Sequence, residues 1–164
     1  MGISVFLKNL EKGVFSSFIF PEGMFSLTPL RLHMTKNRAL FGNESILFVD
    51  DDAFIVLVQK TIFELYGYNV ISFVSSHDAL KEFKSRFEIF DIAIFDMAMP
   101  KMTGLDLAHK IKQIRPDIPV IISTGFSEKI NKDSFLDMGV DGFLMKPASK
   151  EESLTLIRYL LDKR

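Results

Sequence analysis

Five short apolar runs, each followed by an amphipathic segment, alternate without a break from residue 45 to the C-terminus. That alternation leaves few folds open. The runs are "SILFV" (45–49), "NVISFV" (69–74), "DIAIF" (91–95), "IPVIIS" (118–123) and "DGFLM" (141–145). Each has the length of a buried strand. The segments between them carry helix signals. "AFIVLVQKTIFELYGY" has an apolar face through Ile55, Leu57, Val58, Ile62 and Leu65, and it stops at Gly67. "SHDALKEFKSRF" has Ser76 as its cap, and "TGLDLAHKIKQIR" ends before Pro116. "EKINKDSFLDMG" closes at Gly139, and "SKEESLTLIRYLLDKR" opens with a Ser149–Glu152 capping box. Near-continuous apolar strands alternating with amphipathic helices predict an α/β protein with a parallel sheet covered on both faces. Right-handed crossovers make it doubly wound and five-stranded.

Composition agrees and excludes several classes. Of the 164 residues, 48% are hydrophobic and 17 are Phe, enough for a packed core. The net charge of −1 creates no global field for nucleic acid. With no Cys, disulfides and thiolate chemistry are out, and the reducing cytoplasm is the expected location. No apolar run reaches the roughly 20 residues of a membrane span. Lys8, Glu11 and Lys12 interrupt the N-terminal apolar stretch where a signal peptide needs continuity.

Residues 1–42 stand apart. They carry a balance of +3 against −4 for the remainder, and Pro and Gly break "FPEGMFSLTP" (20–29). So short a segment cannot build an independent core. The expected division is an extension over 1–42, disordered or loosely docked, and a folded domain over 43–164.

The chemistry lies at the strand ends. In open α/β sheets, ligands bind beyond the carboxyl ends of the strands. There the first run delivers Asp50, Asp51 and Asp52, the third Asp96, the fourth Thr124 and the fifth Lys146. A flavodoxin-like strand order, 2-1-3-4-5, makes these neighbours. Clustered carboxylates repel unless protonated or bound to a cation. Oxygen donors suit a hard ion, most simply Mg²⁺. A lysine beside them implies that an anion binds too. Together they fit phosphoryl transfer onto a carboxylate. Asp52 is read as a helix cap. His33, His77 and His109 share no metal-like spacing. No Walker-type or dinucleotide glycine motif is present.

"ILFVDDDAF", "IAIFDMAMPKMTGLDL", "IPVIISTGF" and "DGFLMKPAS" resemble the receiver domain of bacterial response regulators, across about residues 45–163. The wording "STGF…FLMKP" is similar to receivers attached to hybrid sensor kinases. The resemblance implies Asp96 as phosphoacceptor and Asp50 and Asp51 as the acidic metal pair, with Asp96 and the Ala98 backbone carbonyl completing the Mg²⁺ donors. It implies Lys146, before a cis Pro147, as the phosphate-binding lysine. Thr124 and Phe143 would be the switch residues. Phe143 stands where the family often has Tyr, and Gly125 where it often has Ala.

The implied phosphodonor is a histidine kinase or a histidine phosphotransfer protein. The implied output is a protein partner on the face of the fourth helix, fifth strand and fifth helix, a second copy included, with no direct nucleic-acid contact. Activity would be limited to self-phosphorylation and autodephosphorylation. The rival readings are a receiver-like module that takes no phosphate, and a piece of a hybrid sensor kinase.

Overall fold

The computed structural model describes residues 40–125 and 139–163, and residues 18–19 as backbone. The expected helix over 128–138 and the rest of the extension lie outside the described residues. In chain order the elements are β1 (Phe18–Ile19), β2 (Ser45–Val49), α1 (Ala53–Leu65), β3 (Asn69–Phe73) and α2 (Ser76–Arg86). A 3₁₀ turn (Phe87–Ile89) leads to β4 (Ile92–Asp96), α3 (Gly104–Ile114), β5 (Val120–Thr124), β6 (Gly142–Met145) and α4 (Lys150–Asp162).

The sheet order is β1-β6-β5-β4-β2-β3. β3, β2, β4, β5 and β6 are parallel and form the expected 2-1-3-4-5 sheet. The sixth strand, β1, adds to the β6 edge antiparallel, with Phe18 opposite Leu144 and Ile19 opposite Phe143.

Strand alternation sorts the core into two layers. Leu47, Val49, Ala93, Phe95, Val120, Ile122 and Phe143 pack on the side covered by α2 and α3. Ile46, Phe48, Ile92, Ile94, Ile121 and Leu144 pack on the other, with Phe63 of α1 and Leu154, Leu156 and Ile157 of α4. Both faces being covered, no strand can alternate apolar with polar, so the strand sequences read as continuous apolar runs. Each fully buried large side chain, such as Phe63 against Phe48, contributes about 1.5–3 kcal/mol.

Helix ends follow local chemistry. Asp52 caps α1, accepting from the amides of Phe54 (2.8 Å) and Ile55 (3.4 Å). Both expected features of α4 are present: the Ser149 cap and its reciprocal Glu152 bond. Two details differ from the sequence expectation. The α2 cap is Ser75, which accepts from Asp78 N–H, and Ser76 is the first helical residue. The inward face of α1 is carried by Ile55, Val56, Ile62 and Phe63, while Leu57 and Leu65 are 63% and 72% exposed. α1 is apolar on nearly every side, so its periodicity could not select the phase.

The lead-in to β2 is fastened to the domain. Gly42 N–H donates to Tyr66 O (3.0 Å), Tyr68 Oη donates to Leu40 O (3.1 Å), and Phe41 lies against Tyr66. Arg158 of α4 donates to both Glu44 oxygens (2.7 Å each) and to Asp162 (2.6 Å).

Candidate functional site

The same alternation that sorts the core also aims the polar side chains. On β2, Ile46 and Phe48 face the α1–α4 side, so Asp50 continues that row. Ile92 and Ile94 are followed likewise by Asp96, and Leu144 by Lys146. Three side chains from three strands therefore converge where the apolar rows run out.

Lys146 Nζ donates to Asp50 Oδ2 at 2.7 Å and to Asp96 Oδ1 at 2.5 Å. Asp50 is 2% exposed and Asp96 7%. The other oxygen of each is also engaged: Asp50 Oδ1 accepts from Asp52 N–H (3.0 Å) and Asp96 Oδ2 from Ala98 N–H (2.7 Å). The Lys146–Pro147 bond is cis, as the resemblance implies.

Burial of the ammonium works against its charge. The hydrogen bonds and attraction from Asp50 and Asp96 outweigh it, and the Lys146 pKa is raised above the ordinary 10.5. A folded-state value above the unfolded one has a defined consequence. The contribution of this ion pair is complete below pH 10.5 and is lost as pH rises through the raised value. In alkaline melts, wild type should therefore lose stability relative to its own neutral value more steeply than Lys146→Met does. Parallel curves for the two proteins would show that the pair contributes nothing.

The remaining expected residues are placed differently. Asp51 is exposed, on the parity opposite to Asp50. Thr124 is buried on the other layer, sharing its row with Ile122, and its hydroxyl donates to Gly125 O at 3.3 Å. Phe143, paired with Ile122, is buried in that same layer.

The donor set suits a hard cation: carboxylates and carbonyls, with no imidazole or thiolate. Two buried carboxylates already share one positive charge, so the site is built to be neutralised. Among the described residues no three acidic or histidine side chains are gathered into a metal cage. Mg²⁺ does not need one, since it is typically held by one or two carboxylates with water and phosphate oxygens. Asp50 and Asp96, the two buried carboxylates, with the Ala98 carbonyl fit that requirement, while Asp51 faces the exposed side beside them.

Two features here went unread in the sequence. Gly104 N–H donates to Met97 O (3.1 Å), and a Cβ on Gly104 would stand 2.2 Å from Asp96 O. The first turn of α3 thus presses on the backbone that carries Asp96. A glycine just inside a capped helix start ("TG" after "MPKM") was the available signal. Lys101, in the loop between them, has φ 68, the left-handed region. Beside the site, a cavity of about 470 Å³ is lined by Phe54, Ile55, Val58, Asp50, Lys146 and Pro147.

A five-stranded parallel α/β sheet in the order 2-1-3-4-5, with two buried acids and a lysine at its carboxyl edge, is the arrangement of a receiver-type domain. Comparison with known proteins agrees. Residues 46–158 match the response regulator receiver domain family. The chain is 34% identical over 118 residues to the response regulator SaeR of Staphylococcus epidermidis, covering 72% of this chain and 50% of that one. It is 30% identical over 121 residues to the alkaline phosphatase synthesis transcriptional regulatory protein PhoP of Bacillus subtilis, covering 74% and 50%. It spans about half the length of the curated relatives it matches. Among solved structures, a response regulator receiver domain from Clostridium thermocellum superposes with a TM-score of 0.70 at 31% identity, covering 73% of this chain and 95% of that one. A CheY-like receiver from Methanospirillum hungatei gives 0.68 at 33%, covering 74% and 96%. This chain belongs to the response regulator receiver domain family.

Proposed function

We propose that Asp96 takes a phosphoryl group from a phosphohistidine on a histidine kinase or a phosphotransfer protein. The observation that carries this reading is the single Lys146 ammonium held between Asp50 and Asp96. A cation so placed can follow the phosphoryl oxygens as they arrive. An Asp96 carboxylate oxygen attacks phosphorus. The new O–P bond forms, the N–P bond breaks, and its electron pair stays on the imidazole nitrogen, which takes a proton from solvent. The Ala98 amide fixes the second Asp96 oxygen and so orients the nucleophile. Asp50 shares Lys146 and keeps it over the site. Mg²⁺, held by Asp50, Asp51, Asp96 and the Ala98 carbonyl, would supply further neutralisation of the phosphoryl charge. Phe54, Leu57 and Val58 stand exposed on α1 beside the site, an apolar surface on which the donor docks.

Phosphorylation adds about −1.5 to −2 of charge. The Thr124 hydroxyl, bonded weakly to Gly125 O, turns toward it, and Phe143 in the same layer repacks. The partner surface is the expected face of the fourth helix, fifth strand and fifth helix, of which β6 and α4 are the described elements. In this reading residues 43–164 are the receiver and 1–42 an extension whose last residues, Leu40–Gly42, are fastened to it. Among the described residues, no helix is long and apolar enough to cross a membrane.

The test is intact mass after incubation with acetyl phosphate and Mg²⁺. Wild type should gain one phosphoryl group. Asp96→Asn should gain none, and chelator should prevent the gain in wild type. Equal uptake by the Asn variant would remove Asp96 from the mechanism.

A further inference from the structure

β6 ends the parallel sheet, and its outer edge is taken by β1 from the N-terminal extension. An open edge strand is a template for pairing with another chain. We infer that residues 18–19 are a built-in occupant of the β6 edge, seated by their own chain. There they block an extended segment of a partner or of a second copy. They also favour the arrangement in which Lys146 bridges Asp50 and Asp96.

Reach supports pairing within one chain. The lead-in is fastened at Leu40–Glu44, just before β2, and β1 lies four strand positions from β2. Four spacings amount to about 19 Å. Residues 20–39, twenty in all, extend to about 66 Å. Twenty residues are therefore long enough to reach across the sheet, and such a tether keeps the local concentration of the arm high. Charge supports it as well, since the extension carries +3 and the remainder −4.

Size shows what kind of contact this is. Two residues cannot make a stable strand pair by themselves, so β1 can leave without unfolding the five strands behind it. Recognition runs through the main chain, as in other strand-addition contacts. A competitor would therefore be an extended peptide segment.

The register ties the arm to the site. Ile19 is opposite Phe143, and Phe143 is opposite Ile122, two residues before Thr124. A shift of Phe143 on phosphorylation must act on the strand paired to it. This coupling rests on the phosphoacceptor reading above. It is also reciprocal: if the phosphoryl group loosens the arm, freeing the arm tightens binding of a phosphoryl mimic by the same factor.

The experiment compares the full-length chain with a double variant, Phe18→Pro with Ile19→Pro. In an antiparallel pair, adjacent residues alternate in facing the partner, so the double change removes whichever amide points at β6. Amide hydrogen exchange is followed at Phe143–Met145. The outward-facing amides should exchange about tenfold faster in the variant, the scale of one lost backbone hydrogen bond. Exchange in β2 and β4 should be unchanged, which reports that the receiver is folded. Equal exchange at the β6 edge in both proteins would overturn the arm as occupant. Protection in wild type that falls on dilution would overturn pairing within one chain and indicate a second copy.

Adding beryllofluoride with Mg²⁺ should speed the same amides in wild type, and the variant should bind the mimic more tightly by a matching factor. A mimic that binds both proteins equally while the edge stays protected overturns the coupling. A mimic that fails to perturb Asp96 in either protein counts against the phosphoacceptor reading instead, and leaves the edge comparison standing.

Discussion

Lys146→Met should slow phosphoryl uptake at Asp96 by about 10²–10³-fold, the typical effect of removing one preorganised charge-stabilising donor. Lys146 donates to both buried acids, so the same change has a cost in the folded protein. It leaves two carboxylates facing each other with no shared cation. Breaking a fully buried pair costs about 3–5 kcal/mol. The Lys146 side chain is 30% exposed, and solvent screening lowers that to about 2–3 kcal/mol. Millimolar Mg²⁺ should restore part of this stability, because a cation again lies between the acids, while the slow uptake should persist. Urea melts with and without Mg²⁺, run beside the acetyl phosphate assay, separate the two effects. Uptake at the wild-type rate would remove the lysine from the chemistry. Unchanged stability would mean that water reaches the acids and screens them.

Gly104→Ala should destabilise the domain and slow phosphorylation, although helix propensity argues the reverse. Alanine favours a helix interior over glycine by about 1 kcal/mol. Against that, the new Cβ would stand 2.2 Å from Asp96 O and 3.0 Å from its carbonyl carbon. Both are backbone atoms and cannot rotate away, so α3 or the Asp96 strand end must move. Overpacking of this kind costs about 1–3 kcal/mol, and so severe a contact belongs at the upper end. The net expectation is a loss of about 2 kcal/mol. The displaced atoms carry Asp96, so uptake of phosphoryl should fall along with stability. Gly125→Ala is the control: among the described residues its Cβ would meet nothing within 4 Å. That change should stay within about 0.5 kcal/mol of wild type. A neutral Gly104→Ala would show that the helix start yields easily and does not position the loop.

Much of the architecture was legible before any coordinates, for an identifiable reason. When a sheet is covered on both faces, every strand position meets apolar neighbours, and the strand becomes an uninterrupted apolar run in the sequence. The runs at 45–49 and 91–95 could thus be placed without knowing what they touch. The helix caps at Asp52 and Ser149 were legible because a cap is satisfied within three residues of itself. The phase of α1 was not, because its apolar residues circle the helix and nothing local distinguishes Phe63, which is buried, from Leu65, which is exposed. The one-residue offset at Ser75 has a similar source: two adjacent serines offer the same hydroxyl, and the turn geometry selects between them.

The sequence by itself determined which residue types stand at the ends of the strands: repelling acids after β2 and β4, and a lysine after β6. Repulsion between carboxylates and their need for a cation are properties of the groups, independent of any fold. Tertiary structure decided which of those groups meet. Lys146 bonds an acid 96 residues away and another 50 away, while Asp51, covalently next to Asp50, is turned to the exposed side. A pleated strand sends successive side chains to opposite faces, so separation along the chain says nothing about proximity across the sheet. The sheet also decided that its last parallel edge would be met by two residues of the extension. Edge pairing depends on which backbone is left unpaired when the sheet closes, and a sequence does not carry that information until its strands have an order.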